Sequence, residues 1–245
     1  MAEIVASRLR EDILSGRIKE GDVLPSQDSL LSEFGVSPPA LREAIHILET
    51  DGLISVRRGN VGGAVVHLPS AGRTAHMISM VLQSRDATPA DVSGALLHLE
   101  PICAGMCAAR PDRMTEVVPY LQAEIELQSE QFDDLSRYVP NARRFHEAIV
   151  SRCGNEPMIL LIGSLELIWS AHESSVWSDD GEPMHHKTMR AALRDHHRLL
   201  DAIRDGNSAR AVRLAQDHLA VARRNTLAVG ADRTIEAKLI ANAEH

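Results

Sequence analysis

The sequence predicts a mainly α-helical protein in two parts: a small N-terminal head of three helices closed by a β-hairpin, then a larger all-α helical bundle. Three observations carry this. Aromatic residues make up only 3% of the 245 residues while Ala, Leu, Arg and Glu abound, a composition that favours helices over sheets. Apolar residues recur at helical spacing almost throughout, with a single β-type interruption near 53–67. A short Pro/Gly/Ser stretch, PSAGRT at 69–74, separates segments of different character. With 44% apolar and 24% charged residues, disordered and collagen-like classes are excluded. Cys103, Cys107 and Cys153 make neither a disulfide framework nor a CxxC metal site; the first two, one helical turn apart in an apolar run, read as small core residues.

Each element of the head has its own justification. Val5, Leu9 and Ile13 form an apolar stripe that ends at Gly16, a helix C-cap. Ser26 starts a second, short helix with Leu30, Leu31 and Phe34 apolar, and Gly35 closes it. Ser37 caps a third helix carrying Leu41, Ala44, Ile45 and Leu48, which stops at Asp51-Gly52. Two β-rich runs, 53–56 and 64–67, flank the turn-prone residues 57–63. Beyond the linker, punctuation at Thr88-Pro89, Pro111, Gly154-Asn155, 181–183 and Gly206-Asn207 leaves about six helices. Pro101 and Pro140 fall inside helical patterns and should kink or interrupt them. The longest apolar run, 158–169, contains Glu166 and is too short to span a membrane. The N-terminus has no signal-peptide pattern, so a soluble, cytoplasmic protein is expected.

Two helices joined by a tight Gly-Val-Ser turn, followed by a hairpin, describe a winged helix-turn-helix. In that arrangement the second helix of the pair enters the major groove of double-stranded DNA and the first braces it. Pro39, Arg42, Glu43 and His46 lie opposite the apolar stripe of that helix and form the face offered to DNA. Arg42 is the strongest candidate for a guanine-edge or phosphate contact. Arg57 and Arg58 supply charge to the wing, and Gly62 and Gly63 let its backbone approach phosphates. Ser26 and Ser37, at the two helix starts, complete the candidate DNA-binding set. The stretches LSGRIKEGDVLPS, FGVSPPALREAIHILETDGLI and VRRGNVGGAVV, in this order and spacing, resemble the GntR family of bacterial transcription regulators, and most of all its FadR-like subgroup. Pro38 stands where that family usually has Arg, and Gln27-Asp28 where it has Glu-Arg.

In the second part, Gly206-Asn207 reads as a helix–helix turn. His196 lies ten residues before Gly206 and His218 eleven after Asn207, so each sits roughly 15 Å from the turn and the two are level in an antiparallel pair. His196 shares its stripe with Leu193, Leu200 and Ile203; His218 falls with Ala211, Ala215 and Ala222; both point inward. His146, beside Ala142, Ile149 and Cys153, faces inward too, whereas His197 lies on a polar face. His172 does not share their height, and His185 and His186 sit at a helix start on the surface. Two inward, level histidines point to a metal site or a polar pocket. The segments FHEAIVSRCGN and HHRLLDAIRDGNSARAVRLAQDHL resemble the FCD ligand-binding domain of FadR-like regulators. That resemblance implies His146, His196 and His218 as ligands of a divalent transition metal (Zn, Ni or Mn), and Glu100 and position 142 as effector-binding. The aspartate that usually precedes the first His falls on Ala142 here, and the arginine four residues before the early Glu is replaced by Leu96.

The expected organisation is therefore a DNA-binding head at 1–68, a linker at 69–74, an effector-binding helical domain at 75–228 and a fraying tail at 229–245. The expected function is a ligand-responsive DNA-binding transcriptional regulator, a repressor that works as a homodimer on palindromic operator DNA. A small carboxylate effector is sensed, with no membrane involved. Two rivals stand beside it: a metal-dependent enzyme using a three-His site, and a DNA-binding regulator that has lost its effector response. Against the enzyme, the sequence offers no HExxH motif, no nucleophile elbow and no evident general base beside the three histidines. The formal charge of −8 does not exclude DNA. Residues 1–68 hold 7 Lys/Arg against 10 Asp/Glu, so specific binding must rest on a few focused arginines rather than on bulk charge.

Overall fold

A computed structural model describes residues 1–57, 63–178, 186–227 and 234–242. The chain divides into two compact units, Met1–Ser70 and Ala71–His245.

In the first unit, α1 (Ala2–Leu14) buries Val5, Ala6, Leu9 and Ile13, and Gly16 follows with φ +75°. Helix α2 (Gln27–Phe34) begins at Ser26, whose Oγ accepts the Ser29 N–H (3.2 Å), and ends at Gly35 in the left-handed conformation. Helix α3 (Pro38–Thr50) has prolines in its first turn, where the missing N–H has no helical partner to lose, and it buries Leu41, Ala44 and Leu48. Strands β1 (Ile54–Arg57) and β2 (Gly63–Val66) pair antiparallel, Ile54 opposite Val66 and Arg57 opposite Gly63. Val23 bridges to Val65 on the other side of β2, and the Leu24 N–H donates to Ala64 O (2.8 Å). Leu24, Leu30, Leu53 and Val66 join the three helices in one core.

The second unit is helical among its described residues: α4 (Ala71–Gln83), α5 (Pro89–Ala109), α6 (Arg113–Glu116), α7 (Val118–Glu130), α8 (Leu135–Ser151), α9 (Glu156–Ser178), α10 (His186–Arg204), α11 (Ser208–Leu227) and α12 (Ala237–Asn242). Among the described residues nine helices replace the six or so expected. Unforeseen breaks fall at Val117, just before Pro119 in the first turn of α7, and at 131–134, where no Gly or Pro marks the break, and a further helix forms after 234. Helix α4 begins at Ala71, so residues 71–74, expected as linker, form its first turn. The expected tail also acquires structure: Ile235 and Ile240 are buried, and α12 packs on α4 and α9. The break expected at 181–183 lies outside the described residues.

Pro101 and Pro140 interrupt neither α5 nor α8. For α5 the reason is packing: it lies at the centre, against α8, α9, α10 and α11, and buries Pro101 itself. Its N-terminus is fixed by a capping box, in which Thr88 Oγ1 accepts the Asp91 N–H and Asp91 Oδ2 accepts the Thr88 N–H. By length and composition α5 alone among the described helices could cross a membrane, but 56% of that window is buried, as suits the middle of a bundle. Helices α10 and α11 fold back on each other through Gly206 (φ +71°) and Asn207, whose Oδ1 accepts the Arg210 N–H (3.0 Å). That hairpin sets the height of the histidines.

Candidate functional site

On α3 the predicted face is present. Pro39, Arg42, Glu43 and His46 are exposed, while Leu41, Ala44 and Leu48 are buried against the head. Ser26 and Ser37 are exposed at their helix starts, and only Ser26 makes a side-chain cap bond. Three other cations of the head are occupied internally: Arg10 pairs with Asp51 (2.7 Å), Arg17 with Asp12 (2.5 Å) and Arg8 with Glu11 and Asp12 (3.6 Å each). Arg42 enters no ion pair among the described residues. Arg57 ends β1; Arg58 and Gly62 lie outside the described residues. Gly63 has a reason of its own, since a Cβ there would meet Val23 Cγ1 at 2.5 Å.

In the second unit three histidines from three helices converge. His146 projects from α8, His196 from α10 and His218 from α11. His218 Nε2 lies 3.1 Å from His196 Nε2 and 3.2 Å from His146 Nε2. Imidazoles bound about 2.1 Å from one ion, at angles between octahedral and tetrahedral, place their nitrogens about 3.0–3.4 Å apart. The two separations from His218 fit that spacing, and ligand atoms of all three rings lie within 4.8 Å of one another.

The remaining nitrogens explain the orientation. Glu100 Oε1 accepts from His146 Nδ1 (2.5 Å) and Gln128 Oε1 from His196 Nδ1 (2.8 Å). Asp195 Oδ2 stands 3.9 Å from His218 Nδ1. A carboxylate or amide oxygen can only accept, so a proton on Nδ1 is favoured in His146 and His196, leaving their Nε2 lone pairs to face His218. Phe145 stacks on the His196 ring, centroids 4.2 Å apart, and fixes its plane. Burial, then the neighbouring His218 and His146, hold His196 well below the ordinary imidazole value. Burial also lowers His218, with Asp195 opposing. Neutral imidazoles are what a transition metal requires.

The histidines open on a cavity of about 520 Å³. Leu96, Leu97, Trp169 and Val221 contribute apolar wall, and Arg143 and Arg223 reach it as cations. Glu100 is buried and Ala142 lines the cavity, so both predicted effector positions face it, with no carboxylate at 142. The sequence offers no evident general base beside the three histidines, but the structure brings two acids to them: Glu100 bonds His146, and Asp195 lies beside His218. Sequence reasoning also missed Gln128 as an orienting group, and Glu166, which is 7% exposed, lines the cavity and has Oε1 without a partner. A lone acid in an apolar run was the available signal for Glu166. His172 stands apart as expected: its Nδ1 meets Ile168 O (2.8 Å) and its Nε2 accepts the Glu236 N–H (2.9 Å), tying the segment before α12 to α9. His186 opens α10, and His185 lies outside the described residues.

Residues 1–65 match the profile described as bacterial regulatory proteins, gntR family, and residues 91–221 match the FCD domain. The chain belongs to the GntR family and carries an FCD domain. Among curated proteins, this GntR regulator is similar to the HTH-type transcriptional repressor NanR of Klebsiella aerogenes, 26% identical over 89% of this chain and 82% of that protein. NanR of Salmonella schwarzengrund is 27% identical over 89% and 81%. Among solved structures, a Streptococcus agalactiae GntR protein aligns with 92% of this chain and 100% of its own, TM-score 0.68 at 20% identity, a likeness of fold. This GntR protein is a ligand-responsive, DNA-binding transcriptional regulator.

Proposed function

We propose that the protein is a cytoplasmic repressor that binds operator DNA as a homodimer and is controlled by a small carboxylate, anchored by a divalent metal on His146, His196 and His218. The observation that carries this reading is that His218 Nε2 lies within 3.2 Å of both His196 Nε2 and His146 Nε2, with Glu100 and Gln128 bonded to two of the Nδ1 atoms and Asp195 3.9 Å from the third, at the wall of a 520 Å³ cavity. Three neutral nitrogen ligands suit Zn, Ni or Mn better than Mg or Ca. When bound, the ion supplies a Lewis-acidic anchor for an oxygen anion. Ala142 withholds the protein carboxylate expected there and leaves room for the carboxylate of the effector.

The head's contribution is the face of α3. Arg42 and His46 read or brace the groove, Pro39 and Ser37 approach the backbone, and Ser26 lies at the start of the bracing helix. The wing residues Arg57, Arg58, Gly62 and Gly63 complete the set, as the sequence implies. One such head covers a half-site, so a dimer is needed for a palindrome. An unpartnered apolar face on α4, with Met77, Met80 and Val81 exposed at helical spacing, suits a second copy of the chain. Domain limits follow: residues 1–68 bind DNA and the helical unit senses. The relatives named as repressors support the sign of regulation.

Operator duplexes selected by the zinc-loaded protein from a random pool provide the test. At least one member of a panel of small carboxylic acids should change operator affinity about fivefold or more, the coupling expected of an allosteric effector. Unchanged affinity across the panel contradicts the reading.

A further inference from the structure

Glu166 is a buried acid without an evident structural use. It sits on α9 at the cavity wall, 7% exposed, and its Oε1 has no hydrogen-bond partner. Burying an acceptor unpaired is costly, and a ligand donor recovers that cost. The surroundings specify what kind of donor. Burial above all, then the like charges of Glu100 and Glu147, push the Glu166 carboxyl well above its ordinary range, and Arg143 opposes them. Arg143 Nε is itself engaged by Glu147 Oε1 (3.1 Å). Arg223 reaches the cavity but donates to neutral oxygens, Ser93 Oγ (3.2 Å) and Ala90 O (3.4 Å). Lys187 also reaches the cavity, from the start of α10, and Asp195 faces His218. The described lining thus sets three acids, Glu100, Glu166 and Asp195, against three cations, and of these acids Glu166 alone keeps a buried oxygen without a partner.

Trp169 lies three residues after Glu166, on the same face of α9, and lines the same cavity. An indole face beside a carboxylate is a favourable seat for an organic cation. Leu96, Leu97 and Val221 offer a polyhydroxylated chain nothing to hydrogen-bond, whereas they suit methylene groups.

We propose that Glu166 and Trp169 form a subsite for an ammonium group, so that the effector is an amino acid with carboxylate and ammonium separated by an apolar chain. The assignment rests on the carboxylate-sensing reading above: the carboxylate is held at the three histidines and the ammonium at Glu166. The cation completes the hydrogen bonding of Oε1 and favours the ionised carboxyl that burial disfavours. The ligand carries both charges, so the cavity gains no net charge on binding.

Calorimetric titration of the zinc-loaded, full-length protein tests this with two matched series, the ω-amino acids from 4-aminobutanoate to 8-aminooctanoate and the plain acids from butanoate to octanoate. One length of amino acid should bind about tenfold or more tightly than its plain counterpart, the value of a charge-assisted hydrogen bond. Glu166→Gln, which keeps the shape of the side chain, should abolish that preference while plain-acid binding is retained. Equal or stronger binding of the plain acids overturns the subsite, as does a preference that survives Glu166→Gln, while leaving carboxylate sensing intact. Absence of binding in both series contradicts the carboxylate reading and the subsite together.

Discussion

His218 is the hinge of the site at the scale of single residues, because its Nε2 faces both His196 and His146. Its depressed basicity, and that of His196, has a sign that can be measured. Both rings stay neutral in the folded state, whereas in the unfolded chain they take up protons below about pH 6.5. In chelator, their contribution is therefore constant above about pH 6.5. As pH falls from there toward the folded values, stability is lost at about 1.4 kcal/mol per pH unit for each His. Denaturant unfolding from pH 8 to pH 5 should show this slope in the wild type and a shallower one in His196→Gln/His218→Gln; identical slopes contradict it. Arg42 carries the corresponding expectation in the head. Arg42→Ala should weaken operator binding by about 1–3 kcal/mol in an electrophoretic shift, and unchanged binding removes Arg42 from the interface. The level of His196 and His218 is legible in the sequence because a single turn at Gly206 and a fixed helical rise determine it. Gln128 and Glu166 are not legible in that way. Gln128 reaches His196 from 68 positions earlier in the chain, a pairing set by how α7 packs on α10.

Among elements, the head follows its local signals closely: Ser26, Gly35 and Gly52 mark boundaries that the helices respect. In the bundle, local signals compete with packing. Pro101 should break α5, yet the helix continues because its surroundings on four helices hold it. The break at 131–134 has neither Gly nor Pro, and α12 comes from a segment whose apolar residues, Ile235 and Ile240, have value only once α4 and α9 are beside them. Helix α4 also shows the reverse, an apolar face left outside. Ile78 and Leu82 pack inward, while Met77 and Val81 are 60% and 50% exposed. Met77→Glu should shift the protein toward monomer in sedimentation velocity without loss of helical signal. An unchanged dimer places the interface elsewhere.

For the whole molecule, a net charge of −8 leaves DNA recognition to a few arginines, and three of the head's cations are already engaged by its own carboxylates. Weak nonspecific binding and strong dependence on fitted contacts follow. The sensing unit concentrates its chemistry at one wall of one cavity, where Glu100 and Gln128 bond imidazoles, Asp195 stands beside a third, and burial lowers the basicity of His196 and His218. On the reading proposed above, a cation sits at the point where the lone pairs meet, and the response to a carboxylate depends on that ion. Calorimetric titration of zinc into the chelator-stripped, full-length protein tests this most directly. One ion per chain should bind, with affinity lowered about 100-fold or more in His218→Ala. No uptake by the wild type, or equal uptake by the variant, contradicts the account.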